Sequence, residues 1–325
     1  MYRPSIWLLA AAFASLATAP IAVSAADYPT KPVKIVVTYP PGGGMDVMAR
    51  VLAGPLGQRL KGTVIVENRP GAGGMIGAEH VAKAEPDGYT LIIAPADTHS
   101  INPHVYTNIR YNAQRDFAPV AQLGNLPMTL VVNPKLPAKS AKEFVSYVRE
   151  RPGKVTYSSW GIGSSSHVAM ETLMLDGKLN MLHVPFTGAA PAIAAVIGGQ
   201  VDAMMVTLPT SEPQHKTGKV RLIGVTPIQR PSGAPTYPTA GMPKHVAAWI
   251  GILAPAKTPK DIVQRLNKEF RSTLEDTEVR AGLVKAGLEP VARVGTPAEF
   301  AAFLATQHDL WGKTVRTAKI AVELK

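Results

Sequence analysis

Short runs of β-branched and apolar residues alternate along this chain with helical patterns, and that alternation limits the possible folds more than any other feature. Val33–Thr38, Thr63–Val66, Tyr89–Ile93, Thr129–Asn133, Lys154–Ser158, Val201–Val206 and Val220–Val225 read as strands. Helix starts lie between and after them. Ser140-Ala-Lys-Glu143 has the spacing of a capping box, in which serine and glutamate satisfy each other's backbone N–H groups. Thr258-Pro-Lys-Asp261 puts Pro259 at the first helical position, where a missing N–H costs nothing, and Ile262, Leu266 and Phe270 then mark an apolar stripe. Thr296-Pro-Ala-Glu299 repeats that start ahead of Phe300, Phe303 and Leu304. The pattern predicts an α/β protein with mainly parallel sheets.

A chain of 325 residues is long enough for two domains. No repeat, low-complexity tract or long polar linker separates them, so the boundary is expected within strands that run from one lobe into the other. Leu126–Pro134 suits the outward crossing and Trp249–Pro255 the return. The first lobe would then combine residues 26–125 with 250–325, and the second would be 126–249.

The first residues address the chain for export. Arg3 precedes an apolar run from Ile6 to Ala19, Pro20 ends the run, and Val23-Ser24-Ala25 offers small residues for cleavage before Ala26. The run is shorter than the ~20 apolar residues of a membrane span. Residues 1–25 therefore read as a signal peptide, and the expected location is the periplasm. Cysteine is absent, which excludes disulfides, thiolate metal sites, a cysteine nucleophile and a lipid anchor on an N-terminal cysteine. The formal charge is +11, but the basic residues are scattered. Nucleic-acid binders concentrate them in patches, so a mild general attraction for anions is the better reading.

Glycine- and hydroxyl-rich turns between strand and helix are where chemistry could sit. Tyr39-Pro-Pro-Gly-Gly-Gly-Met-Asp46 follows the first strand, and its glycines let backbone N–H groups approach a ligand at a helix start. Equally, it could be an ordinary tight turn with Asp46 as a cap. Glu67-Asn-Arg-Pro-Gly-Ala-Gly-Gly74 has the same layout, and Ser158-Ser-Trp-Gly-Ile-Gly-Ser-Ser-Ser-His167 adds serine hydroxyls. His167 reads as a structural helix residue. Trp160 either covers the core or walls a ligand site. Val184-Pro-Phe-Thr-Gly-Ala-Ala-Pro191 leads to Gly198-Gly199, after which Asp202 opens a short apolar strand. His99 beside Thr98 adds a neutral donor.

Enzyme classes find little support. Gly71, Gly73 and Gly77 have Gly-x-Gly-x-x-x-Gly spacing, which departs from the dinucleotide fingerprint. No Gly-x-Ser-x-Gly elbow and no His-Glu-x-x-His pair occurs. No cofactor, metal or catalytic residue is expected.

In order and spacing these segments, with Asp87-Gly-Tyr-Thr-Leu91, Asn102-Pro103, Asp116-Phe117 and Gly198-Gly-Gln-Val-Asp202, resemble the Bug family, the periplasmic receptors of tripartite tricarboxylate transporters. The resemblance implies a two-lobed periplasmic-binding-protein fold (Venus flytrap, type II) with two crossing strands. It implies capture of a small carboxylate in the cleft and delivery to integral membrane subunits, with signalling to another partner as the alternative. Carried over, Gly42, Gly43 and Thr98 line the first lobe, Ser159, Gly163, Ser164 and Ser165 hold the ligand from the second, and Thr187 and Asp202 lie nearby. Phe186-Thr187 departs from the Tyr-Lys often seen in the family. Trp160 and Phe186 suit an aromatic mono- or dicarboxylate; a short aliphatic dicarboxylate or an amino acid is the other expectation. The receptor is expected to act as a monomer.

Overall fold

The structure, a computed structural model, describes residues 28–226, 239–243 and 248–321, so the leader expected at 1–25 lies outside the described residues. The first strand, β1 (Val33–Val37), buries every residue except Lys34 and leads into α1 (Gly44–Leu60). Then come β2 (Val64–Asn68), α2 (Met75–Ala82), β3 (Thr90–Pro95), the one-turn α3 (Asn102–Val105) and β4 (Phe117–Leu126). The middle of the chain forms β5 (Met128–Val132), α4 (Ala141–Arg149), β6 (Thr156–Ser159), α5 (Ser165–Gly177) and β7 (Leu182–Pro185). It continues with α6 (Ala189–Gly198), β8 (Ala203–Thr207), α7 (Leu208–Lys216) and β9 (Arg221–Val225). The chain closes with β10 (Ala248–Pro255), α8 (Lys260–Glu275), α9 (Thr277–Lys285), β11 (Glu289–Pro290) and α10 (Pro297–Thr317).

Two sheets result. The first has the order β11-β4-β10-β3-β1-β2 and the second β7-β6-β8-β5-β9. Within them β1 is parallel to β2 and β3, and β6 is parallel to β7 and β8. The antiparallel members are those that cross between lobes or neighbour the crossing: β10 against β3 and β4, β11 against β4, and β5 against β8 and β9. Each sheet is covered on both faces by helices, which is why the central strands β1, β3, β5, β8 and β10 are apolar runs without alternation. Ile262, Leu266 and Phe270 bury the predicted stripe of α8.

The outward crossing is two strands rather than one. β4 ends in the first sheet and β5 begins in the second with only Pro127 between them, and Pro127 has no N–H for either ladder. β4 was not evident in the sequence because Pro119, Gln122, Gly124 and Asn125 dilute its β character. β10, by contrast, coincides with the expected return segment and is buried throughout. Helix starts largely follow the sequence. Thr296 and Glu299 form a complete capping box on α10. Ser140 caps α4, but Glu143 reaches the Lys139 N–H (2.9 Å). Pro259 is the N-cap of α8, one position before the expected one.

α10 belongs to both halves of the molecule. Its first turn packs Phe300 against Trp249 at a ring separation of 5.9 Å, while Trp311 and Val315 are buried in the core around β5, β6 and α5.

Candidate ligand-binding cleft

A cleft of about 1390 Å³ lies between the lobes. The residues following β1, β3 and β6 (Thr38, Ala96, Trp160) and the end of β8 (Thr207) all open on it, the usual ligand position for α/β sheets. Among the helices that start there are α1 at Gly43–Met45, α5 at Ser164–Ser165, α6 at Gly188–Ala190 and α7 at Thr207–Thr210, although in α7 the Leu208 N–H donates to Pro127 O at 2.9 Å and Pro209 has none. Helix starts present N–H groups without intrahelical acceptors and carry partial positive charge, so the cleft suits an anion. Thr38 strengthens this reading, because its hydroxyl is fully buried at the cleft wall and has no hydrogen-bond partner.

Gly42, Gly43, Trp160, Gly163, Ser164, Ser165 and Thr187 all line the cleft. The Gly42 N–H, however, already donates to Asp46 Oδ2 at 2.9 Å. Asp46 also takes bonds from Arg50 (3.0 Å) and Asn68 (2.9 Å), and chiefly the Arg50 bond holds its carboxyl down at about 2. The N–H groups left for a ligand are therefore those of Gly44 and Met45, at the start of α1.

Thr98, His99, Ser159 and Asp202 do not face the cleft. Residues Asp97–Ile101 form a π-helical turn rather than a simple loop, and this turn rotates Asp97 to the cleft while Thr98 and His99 point into the core. Thr98 Oγ1 bonds Pro95 O and His99 Nδ1, and the imidazole packs edge-on or tilted among Tyr111, Phe117 and Trp249. Burial drives the His99 pKa down to about 3. Gly74 fits this packing because a Cβ there would lie 2.7 Å from Thr98 Cγ2. Ser159 is also fully buried. Its hydroxyl holds the turn at Gly161 and pairs with His183 Nε2 at 2.7 Å. Asp202 sits at the opposite end of its strand, where it caps β6 through the Thr156 N–H and hydroxyl.

His167 is structural, as its helical position suggested. Its Nδ1 accepts from the Gly163 N–H (3.1 Å), and its ring stacks on His183 at 3.9 Å, with Tyr157 beyond. Burial, then the neighbouring His167, lowers the His183 pKa to about 4.

One cleft residue had no sequence signal. Asp97 is 8% exposed and, among the described residues, is the only lining residue with a formal charge. Tyr39 donates to its Oδ2 at 3.3 Å, and from the opposite lobe Ser165 and Trp160 direct donors at the same carboxyl. Burial raises its pKa, and those donors oppose the rise. Trp160, whose orientation the sequence left open, thus reaches the cleft and also packs against the second lobe's cores.

Two α/β lobes hinged by crossing strands, with helix starts converging on the cleft between them, define a solute receptor of the binding-protein class. The family described as tripartite tricarboxylate transporter family receptor matches residues 48–320, and the chain belongs to it. Protein BugT of Bordetella pertussis is 34% identical over 316 residues, covering 95% of this chain and 96% of that one. Among solved structures, Rpa4515 of R. palustris with adipate superposes with a TM-score of 0.80 at 32% identity, covering 92% of this chain and 100% of that chain. MatC from Rhodopseudomonas palustris with bound malate gives 0.75 at 32% identity, with coverages of 89% and 100%.

Proposed function

We propose that the chain is exported to the periplasm, where it captures a small carboxylate in the interlobe cleft and delivers it to the integral membrane subunits of a tripartite transporter, with no catalytic step. The observation that carries this reading is the set of helix starts facing one cleft whose described lining has no Lys or Arg. N–H and hydroxyl donors bind a carboxylate without the desolvation cost of a buried ion pair, and they allow release. Both lobes contribute, so ligand binding favours the closed state. The adipate and malate of the two related structures support the same ligand class. Trp160 and Phe186 add flat apolar wall.

Mass spectrometry of small molecules released from denatured periplasmic protein, followed by thermal-shift titration of a carboxylate panel, tests the proposal. A co-purifying carboxylate that raises the melting temperature is expected. A panel in which no mono- or dicarboxylate shifts the melt overturns it.

A further inference from the structure

The one charge on the described cleft lining has the wrong sign for a pocket that only binds anions. Asp97 leaves β3 through the π-helical turn Asp97–Ile101, which places its carboxylate between Tyr39 of its own lobe and Ser165 and Trp160 of the other. Irregular π turns of this kind recur at functional sites, where they re-aim a single side chain. Ser165 is the first residue of α5, so Asp97 already stands at the anion-binding end of that helix. A ligand carboxylate directed there would be set against a like charge in a nearly dry site.

The starts of α1 and α6 remain for one carboxylate. The other end of the ligand meets a carboxylate whose formed bond to Tyr39 is long, at 3.3 Å, with the indole of Trp160 beside it. A carboxylate and an aromatic face both attract an ammonium group.

We propose that Asp97 makes this receptor select ligands carrying one carboxylate and one protonated amine over dicarboxylates of equal length. The proposal rests on the carboxylate-receptor reading and narrows it. It also assigns Asp97 as the residue that determines specificity within the cleft.

Calorimetric titration at pH 7.5 with matched pairs tests it: glutarate against 4-aminobutanoate, and terephthalate against 4-(aminomethyl)benzoate. In at least one pair the amine-bearing acid should bind tenfold tighter or more. Asp97→Asn, which keeps the shape and removes the charge, should erase or reverse that preference. Tighter binding of the dicarboxylates by the unaltered protein overturns the assignment, as does a preference for the amine that persists in Asp97→Asn. Tighter dicarboxylate binding that grows as the pH is lowered would mean that Asp97 instead takes up a proton to receive a second carboxylate, which also overturns it. These outcomes leave the carboxylate reading standing. If no mono- or dicarboxylate binds at all, that reading fails and this one with it.

Discussion

Gly163 lies so close to Val105 of α3 that a Cβ on Gly163 would stand 2.6 Å from Val105 Cγ1. Gly163 also has φ of +75°, a conformation that side chains rarely adopt. Val105 is buried in the core around β5, β6 and α5, and beside it the Tyr106 hydroxyl donates to the Ile162 carbonyl at 3.3 Å. The packing of the cleft-lining turn before α5 on α3 therefore depends on the missing side chain. Gly163→Ala should cost about 1 kcal/mol of stability through its backbone strain and reduce ligand affinity roughly tenfold by displacing that turn. Val105→Ala in the same chain should restore part of the affinity but not the stability. Calorimetric titration and thermal melts read both effects; unchanged affinity in Gly163→Ala would rule out this role for the contact.

Ser164 and Ser165 are neighbours with different work. The Ser164 hydroxyl donates to Gly161 O at 2.7 Å and accepts from the His167 N–H at 3.3 Å, so it is the N-cap of α5. Ser164→Ala should lower stability by about 0.5–2 kcal/mol while changing affinity little. Ser165 faces Asp97 and the cleft. Because its hydroxyl is directed at Asp97, Ser165→Ala should act through that carboxylate and change ligand affinity roughly tenfold, as expected for a lost bond to a charged group of about 1.5–3 kcal/mol, without the loss of helix capping expected in Ser164→Ala. Equal effects of the two substitutions on both readouts would contradict this division.

Buried histidines set the acid limit. The folded pKa of His99 is about 3 and that of His183 about 4, both below the ordinary value of about 6.5. Between those values the unfolded chain binds protons that the folded chain does not. Stability is thus fully present above about pH 6.5, falls as pH drops through the window, and loses these contributions by about pH 3. Phe117, Tyr111 and Trp249 surround His99, so His99→Phe keeps an aromatic ring there without a titrating group. Thermal melts between pH 7 and pH 4 should show a shallower loss in His99→Phe than in the parent. A slope that does not change would mean that His99 is not the group responsible.

Much of the cleft was legible because helix starts are local. The glycines at 42–44, the serines at 164–166 and Gly188 announce turns that open helices, and strand–turn–helix order alone places those turns at the same end of a sheet. The single outward strand expected at Leu126–Pro134 illustrates the limit. Pro127 interrupts it after its first residue, so that the segment holds β5 while β4 precedes it, and β4 is held by pairing with β10 from a sequence position more than a hundred residues away, which no local pattern records.

Local propensity and spacing thus determined the α/β class and the anion-suited turns, because caps, glycine turns and apolar runs act over a few residues. Which side of a turn each side chain faces was decided by packing. The extra residue in the π-helical turn sends Thr98 and His99 into the core and Asp97 to the cleft, since Gly74 leaves room for Thr98, aromatic rings enclose His99, and the cleft edge accepts the charge. Ser159 and Asp202 likewise turn to His183 and Thr156, partners that only the folded sheet brings within reach. Burial of the remaining polar groups then required those bonds, and so the tertiary structure, not the motif, chose the residues that meet the ligand.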